Sequence, residues 1–154
     1  MLNDDECREI EKALSKYATK RAAGPEALDI VQARRGWISD DSLKDVADML
    51  EMSFEELDSV ATFYNLIYRK PVGRHVILLC DSISCYICGC KTVLDCLERL
   101  LGIGSGETTP DGRFTLLPTA CLGACDHAPV MMIDGTLHVD LTPEKVEEIL
   151  KKYK

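Results

Sequence analysis

The first part of the chain carries a helical pattern of apolar residues. Apolar side chains recur every three or four positions from residue 4 to about residue 63, the spacing that lines one face of a helix. Helix-start signals divide this stretch: a proline suited to a first turn, serines that act as N-caps, and a capping-box sequence. They stand at Pro25, at Ser39 or Ser42, and in SFEE at residues 53–56. This part is therefore predicted to form a small helical bundle.

The pattern changes near Gly73, where short apolar runs replace the helical spacing. Short runs of this kind, bounded by turn residues, are typical of buried strands. Strands are predicted at residues 75–80 and 112–118 and within residues 130–140. The last segment contains Asp134-Gly135, a dipeptide common in hairpin turns, so it is predicted to be a pair of strands.

Helical spacing returns twice in this second part. It covers residues 91–102, and a final helix is indicated by Thr142-Pro143-Glu144, which combines an N-cap, a first-turn proline and an early acid. The resulting order, β, α, β, β, β, α, resembles the thioredoxin-like arrangement. We therefore predict an α/β protein with two domains, an N-terminal helical bundle over residues 1–72 and a thioredoxin-like domain over residues 73–154.

The composition indicates which class of partner and which cellular compartment to expect. A net charge of −8 argues against nucleic acid, whose phosphates require a basic face, and favours another protein. The longest apolar runs are far shorter than the roughly 20 residues that span a bilayer. The acidic first residues lack the basic and apolar regions of a secretory signal, so we expect a cytoplasmic protein. In that reducing compartment, clustered cysteines more often serve metals or redox chemistry than disulfides.

Four of the eight cysteines follow predicted strands as two pairs. Cys80 and Cys85 come after HVILL in the first predicted strand, and Cys121 and Cys125 come after the second strand. Strand ends at one edge of a sheet bring such loops together, and four thiolates suffice for a [2Fe-2S] cluster, two for each iron. The glycine in CLGAC, residues 121–125, lets backbone N–H groups approach the sulfurs.

The spacing of the cysteines leaves other sites open. Cys80, Cys85 and Cys88 reproduce the spacing of plant-type [2Fe-2S] ferredoxins, whose fourth cysteine lies far downstream. Cys85 and Cys88 also form a C-x-x-C dithiol at the start of a predicted helix, a redox arrangement. Four cysteines can hold zinc, although neither C-x4-C nor C-x3-C is a common zinc spacing. Structural disulfides would require an oxidising compartment.

The remaining thiols and the nearby acids have simpler interpretations. Cys96 lies on the apolar side of a predicted helix and is expected in the core. Cys88 and Cys90 are expected to be free thiols near the cluster. Asp81 and Asp126 adjoin the cysteine pairs, and their charge should oppose uptake of an electron and lower the cluster potential.

One segment resembles the signature of a known family. DGRFTLLPTACLGACDHAP, residues 111–129, is similar to the signature of the E-type subunits of NADH:quinone oxidoreductase (respiratory complex I), the thioredoxin-like [2Fe-2S] partners of a flavoprotein subunit. The likeness extends to ALDIVQARRGWISD, to VATFYNLIYRKPVGRHVILLCDS and to VDLTPEKVEEILKKY, and so covers essentially the whole chain. The chain departs from the family in the extra thiols of Cys88, Cys90 and Cys96, which the family does not require.

The resemblance implies a site and a role. The ligands it implies for one [2Fe-2S] cluster are Cys80, Cys85, Cys121 and Cys125. It implies an electron-transfer subunit without a substrate-turnover site of its own, which exchanges electrons with the FMN of a flavoprotein subunit of the F type. That subunit would also bind NADH, which agrees with the lack of a G-x-G-x-x-G after any predicted strand in this chain.

The resemblance also implies an assembly. The helical half would pack against partner subunits, an iron-sulfur subunit of the G type would lie adjacent, and the complex would hold the chain peripherally at the cytoplasmic side of the inner membrane. Similar subunits accompany flavoproteins in NAD-dependent formate dehydrogenases and in NAD-linked or electron-bifurcating hydrogenases. The identity of the assembly therefore stays open at the level of sequence, as does a structural or regulatory role for the cluster.

Overall fold

The chain folds into two units, a helical one that spans Met1–Pro71 and a sheet-containing one that begins at Val72. The computed structural model describes residues 1–153. The predicted α/β class, with helices first and a sheet after them, is confirmed. No helix within this described part of the chain has the length and apolar character needed to cross a membrane.

Four α-helices build the first unit. They are α1 (Asp4–Leu14), α2 (Gly24–Arg35), α3 (Asp40–Leu50) and α4 (Phe54–Phe63), with a 3₁₀ turn (Lys20–Ala23) before α2. The predicted start signals are confirmed: the Ser39 hydroxyl caps α3, and Ser53 forms a capping box with Glu56 at the start of α4. The core between these helices is apolar and includes Ile10, Leu28, Val31, Leu43, Val46, Leu50 and Leu57.

A buried ion pair joins three helices of this unit. The Glu6 side chain, in the first turn of α1, is 1% exposed and accepts hydrogen bonds from Arg35 Nε at 2.8 Å and Nη2 at 2.6 Å. The same carboxylate accepts the Asn3 backbone N–H at 2.8 Å and so completes a capping box. Arg35 lies at the end of α2 and also donates to the Ser42 hydroxyl of α3. The pair therefore stabilises the packing of α1, α2 and α3 against one another.

The second unit is built on a four-stranded sheet. Its strands are β1 (His75–Cys80), β2 (Phe114–Thr119), β3 (Met131–Ile133) and β4 (Thr136–His138), in the spatial order β2-β1-β3-β4. Strand β1 is parallel to β2 and antiparallel to β3. The predicted hairpin is confirmed: Asp134 and Gly135 join β3 to β4 with φ values of 48° and 80°, both left-handed, as in the turns that hairpins favour.

Three helices accompany the sheet. They are α5 (Ile83–Ile87), α6 (Cys90–Leu101) and α7 (Pro143–Leu150). Side chains of α6 and α7 pack with those of the strands in an apolar core that includes Ile77, Leu79, Val93, Leu97, Phe114, Leu116, Met131, Ile133 and Val146. Helix α5 corrects the prediction that Cys85 lies in a loop, because this residue is in the middle of the short helix. Five residues do not complete a second helical turn, so no repeating pattern in the sequence reveals them.

Candidate metal centre

The parallel pairing of β1 and β2 brings the two cysteine segments to one edge of the sheet. Cys80 is the last residue of β1 and pairs in register with Thr119, the last residue of β2. Cys121 follows two residues later, and Cys125 begins a 3₁₀ turn. Because parallel strands end at the same edge, both pairs of cysteines lie at or beyond the carboxyl ends of neighbouring strands.

The first pair is buried. Cys80 and Cys85 are each 2% exposed and pack with Val130 in a small apolar cluster. Leu122 and Ala124, which lie between the cysteines of the second pair, pack against the same cluster. The fold therefore brings the CLGAC segment onto the buried pair, as the positions of the cysteines after adjacent strands predicted.

The second pair is open to solvent. Cys121 and Cys125 are exposed, and their sulfur atoms lie 3.2 Å apart. The Gly123 backbone N–H donates to Cys121 Sγ at 3.4 Å, which confirms the predicted approach of backbone amides to the sulfurs at this glycine. Gly123 has a φ of +84°, a left-handed conformation that glycine adopts without the strain a Cβ atom causes.

Hydrogen bonds to sulfur determine how the first pair ionises. Burial opposes ionisation of the Cys80 thiol and by itself would raise its pKa. Hydrogen bonds from the Ser82 backbone N–H, the Cys85 thiol and the Leu122 backbone N–H outweigh burial, so the pKa of this thiol is lowered. Burial, together with the bond donated to Cys80, raises the pKa of Cys85 to about 11. Cys80 therefore loses its proton more readily than Cys85.

In the second pair, the neighbouring sulfur shifts the pKa of Cys125. Its hydrogen bond to Cys121 raises the pKa of Cys125, and the negative charge of Cys121 acts in the same direction. The Ser84 hydroxyl of α5 donates to Cys125 and partly offsets this rise. Together with the Leu122 N–H on Cys80, this bond links each cysteine segment to a sulfur of the other. A bound metal would replace the remaining thiol protons, since the thiolate is the form that binds metals.

The donor set fits a binuclear iron-sulfur cluster. All four groups at this edge are sulfurs, and they come as two close pairs, which matches two thiolates for each iron of a [2Fe-2S] cluster. Among residues 1–153, no group of three or more histidine, cysteine, aspartate or glutamate side chains is placed to hold a metal ion.

The other thiols of the second unit differ in their surroundings. Cys88 ends α5 and is exposed, whereas Cys90 is 6% exposed and belongs to the same apolar cluster as Cys80 and Cys85. Cys96 lies on α6 in the main core, as predicted. The burial of Cys90 was missed from sequence, although Cys90, Val93 and Leu97 share the helical spacing that marks the buried side of α6.

The dithiol interpretation of the C-x-x-C motif finds little support in this geometry. A reactive cysteine of such a motif is accessible and has a lowered pKa. Cys85 is instead buried, and its pKa is raised to about 11. Cys88 is exposed, so the two thiols do not share one environment.

Comparisons with known proteins match the chain to one family model and to named relatives. The family model described as thioredoxin-like [2Fe-2S] ferredoxin matches residues 10–154. A protein of Escherichia coli (strain K12), named as the E-type subunit of NADH-quinone oxidoreductase, is 51% identical over 145 residues, which cover 94% of this chain and 87% of that protein. A protein of Pseudomonas aeruginosa with the same name is 46% identical over 153 residues, which cover 99% of this chain and 92% of that one.

A solved structure extends the comparison of folds. The crystal structure of an NAD+-reducing [NiFe]-hydrogenase in the H2-reduced state superposes with a TM-score of 0.74 over 85% of this chain, at 24% sequence identity. The match spans only 22% of that hydrogenase chain. At this level of identity the similarity bears on the fold.

Proposed function

The chain belongs to the thioredoxin-like [2Fe-2S] ferredoxin family, and from that membership we propose that its two cysteine pairs hold one [2Fe-2S] cluster in an electron-transfer subunit. Family membership itself indicates a [2Fe-2S] cluster as the cofactor. The proposed ligands are Cys80, Cys85, Cys121 and Cys125. The thioredoxin-like domain that we propose spans residues 73–154, and the helical bundle spans residues 1–72.

The approach of the CLGAC segment to the buried pair is the observation that carries this proposal. Leu122 and Ala124 pack against the cluster that contains Cys80 and Cys85, and the Leu122 N–H donates to Cys80. This packing of the segment that carries the second pair onto the first pair supports a shared site. Such a prearranged set of ligands reduces the ordering that metal binding would otherwise require.

The fold shields one cysteine pair from water and leaves the other pair accessible. The burial of Cys80 and Cys85 keeps water from one pair of ligands, while the exposure of Cys121 and Cys125 leaves the other pair at the surface. Backbone N–H groups on Cys80 and Cys121 stabilise negative charge on those sulfurs. When bound, a [2Fe-2S] cluster takes up and returns one electron at a time. The exposed pair is therefore the side through which we expect electrons to pass.

We further propose that the electron partner is the FMN of a flavoprotein subunit that also binds NADH, in an NADH:quinone oxidoreductase. The names of relatives at 46–51% identity support this assembly over a hydrogenase, whose similarity at 24% identity concerns the fold. A flavoprotein of the F type and an iron-sulfur subunit of the G type are the partners we propose. The chain would then be peripheral to the membrane through the assembled complex.

Helix α5 offers an apolar surface next to the site that suits a protein partner. Ile83, Tyr86 and Ile87 are exposed on the helix that also carries Cys85. Grouped apolar side chains on a surface are characteristic of protein interfaces. A flavoprotein docked there would lie beside the proposed ligands, which suits exchange of electrons with a flavin.

Electron paramagnetic resonance (EPR) of the dithionite-reduced chain, with iron and sulfide assays, tests the ligand set. Cys88→Ser is the matched control for Cys125→Ser, because both cysteines are exposed and only the second is a proposed ligand. We expect the wild type and Cys88→Ser to give the same signal of one reduced [2Fe-2S] centre, and Cys125→Ser to lose or alter it. Loss in Cys88→Ser with retention in Cys125→Ser would instead support the plant-type arrangement.

A variant of the assembled complex tests the role in electron transfer. With Cys121→Ser, we expect the complex to assemble and to lose part of its NADH-dependent quinone reduction. Full turnover by a complex whose site holds no iron would contradict a role in the main electron path and would favour a structural or regulatory role.

A further inference from the structure

The second cysteine pair lies on the solvent side of its segment. Exposure alternates along residues 121–125: Cys121, Gly123 and Cys125 are exposed, whereas Leu122 and Ala124 are half-buried. Leu122 and Ala124 pack against the apolar cluster that contains the first pair. The packing therefore fixes this segment to the fold and leaves both of its cysteines accessible to molecules in solution.

The two exposed sulfurs already lie close to each other. Cys121 Sγ and Cys125 Sγ are 3.2 Å apart. A disulfide bond is about 2.05 Å long, so the sulfurs would have to approach each other by roughly 1 Å. Both side chains are exposed, and no described residue other than its chain neighbours comes within 4 Å of where a Cβ of Gly123 would stand. Few neighbouring atoms therefore oppose the side-chain rotations that bring the sulfurs together.

The first pair differs from the second in its access to oxidants. Cys80 and Cys85 are each 2% exposed, so a disulfide in solution does not reach their sulfurs. Thiol–disulfide exchange requires an accessible sulfur and proceeds through the thiolate. Cys121 is exposed, and the Gly123 backbone N–H donates to its sulfur at 3.4 Å, which stabilises negative charge on it. The fold thus favours oxidation of the second pair and protects the first pair.

We propose that Cys121 and Cys125 form a reversible disulfide in the cluster-free chain, which keeps this pair from binding iron until a dithiol reduces it. This inference rests on the proposed function, since the regulatory consequence requires that both sulfurs are ligands. Disulfides in reducing compartments are usually transient and act in catalysis or redox sensing. A site closed by this bond would accept iron only under reducing conditions.

The oxidant we propose is a low-molecular-weight disulfide such as oxidised glutathione. The Cys121 thiolate attacks one glutathione sulfur and forms a mixed disulfide, and the other glutathione leaves as a thiolate. The sulfur of Cys125 then attacks Cys121 Sγ and releases the second glutathione thiolate, and the two thiol protons of the protein pass to the two glutathiones. Two protein thiols are oxidised while one glutathione disulfide is reduced. A dithiol reverses the reaction, because it supplies two electrons and two protons and becomes a disulfide itself.

Peptide mapping of the full-length chain tests the proposal, because trypsin separates the two pairs. Peptide 114–145 contains Cys121 and Cys125 as its only cysteines, whereas peptide 75–91 contains both cysteines of the first pair. The metal-free chain is equilibrated anaerobically with mixtures of oxidised and reduced glutathione at fixed total glutathione. Free thiols are then blocked with iodoacetamide, and the digest is analysed by mass spectrometry. An internal disulfide leaves peptide 114–145 two hydrogen atoms lighter and without a blocked thiol.

The folded chain is compared with the same chain in urea and with two variants. We expect the disulfide in peptide 114–145 to form in the folded chain at an at least fivefold lower proportion of oxidised glutathione than in urea. Cys88→Ser, which lacks the exposed thiol of peptide 75–91, should form it equally well and keep the remaining thiols of that peptide free. Cys121→Ser should instead retain glutathione on Cys125. A folded chain that needs the same or a higher proportion of oxidised glutathione than the unfolded chain would overturn the proposal.

Mapping after anaerobic loading with iron and sulfide distinguishes this inference from the proposed function. We expect the loaded chain to hold about two irons and to yield free thiols in peptide 114–145 once the cluster is released in denaturant. Iron in the loaded chain, together with no disulfide in the metal-free chain, would overturn this inference and leave the proposed function intact. Equal disulfide content in loaded and metal-free chains would overturn both the proposed ligation by this pair and the regulatory consequence of the bond.

Discussion

Replacement of the buried Glu6 carboxylate by an amide should destabilise the helical unit strongly. The Glu6 side chain is 1% exposed and receives two hydrogen bonds from Arg35, at 2.8 Å and 2.6 Å. Glu6→Gln keeps the shape of the side chain but offers one carbonyl oxygen instead of two carboxylate oxygens. One charged hydrogen bond is lost, and an amide N–H group is turned toward the guanidinium, which has no acceptor for it.

The expected loss of stability in Glu6→Gln follows from the burial of Glu6 and Arg35. A hydrogen bond to a charged group contributes about 1.5–3 kcal/mol, and breaking a fully buried ion pair costs roughly 3–5 kcal/mol. The Arg35 side chain is 30% exposed, so water partly compensates its charge. We therefore expect Glu6→Gln to lower the free energy of unfolding by about 2–3 kcal/mol.

Glu9→Gln is the matched control on the same helix. Glu9 Oε1 lies 2.8 Å from Arg34 Nη2, but the Glu9 side chain is 53% exposed. An exposed pair of this kind contributes only about 0.2–1 kcal/mol. Urea unfolding of the full chain, followed by circular dichroism, measures both variants. Equal losses of stability in Glu6→Gln and Glu9→Gln would contradict this expectation, since the Glu6 carboxylate is buried and accepts more hydrogen bonds than the exposed Glu9 carboxylate.

The Glu6 carboxylate should also make the free energy of unfolding depend on pH. The hydrogen bonds from Arg35 lower the pKa of Glu6 in the folded chain, in spite of burial. Its contribution to stability is therefore complete above the unfolded pKa of about 4.3 and is lost as the pH falls through the lowered folded pKa. The difference in stability between wild type and Glu6→Gln should shrink over this acidic range. A difference that grows on acidification would contradict the assignment.

Three further changes probe the site and the helix caps. Gly123→Ala strains a left-handed residue by about 1–2 kcal/mol and disturbs the N–H that donates to Cys121, so it should reduce the cluster content of the chain. Gly106→Ala places the same strain away from the cysteines and should leave the cluster content unchanged. Asp126→Asn removes a charge next to Cys125 and should raise the midpoint potential in an EPR-monitored titration, by less than about 59 mV because the side chain is exposed. Ser53→Ala removes the cap of α4 and should cost about 1 kcal/mol in urea unfolding, and an unchanged midpoint would contradict the capping role.

Local chemistry explains which parts of the fold were predictable from the sequence. Ser53 marks a helix start and Asp134-Gly135 marks a hairpin through interactions within a few residues. Such local features can be recognised in the sequence without knowledge of the tertiary structure. The pairing of two cysteine segments was also predictable, because each follows a strand and parallel strands end at one edge. The resemblance to a family of [2Fe-2S] proteins, carried by the segment around Cys121 and Cys125, is confirmed.

The features that the sequence did not predict depend on tertiary packing. Helix α5 was missed because its five residues are too few for a helical period. The spacing of Cys85 and Cys88 suggested a shared role, yet one is buried and the other exposed, since the direction of each side chain depends on how α5 packs. The contact of Cys90 with the apolar cluster that contains Cys80 depends on how α6 packs, although the helical spacing of Cys90, Val93 and Leu97 already marks the buried side of that helix.

A potentiometric titration of the full chain, followed by EPR and accompanied by iron and sulfide assays, tests whether the chain carries one [2Fe-2S] cluster as a one-electron carrier. We expect about two irons and two sulfides per chain and a one-electron titration curve that reaches about one unpaired spin per chain. We also expect Cys125→Ser to disrupt this signal and Cys88→Ser to preserve it. A chain that binds one zinc and no iron, or whose iron gives no spin on reduction, would contradict its assignment as a one-electron carrier.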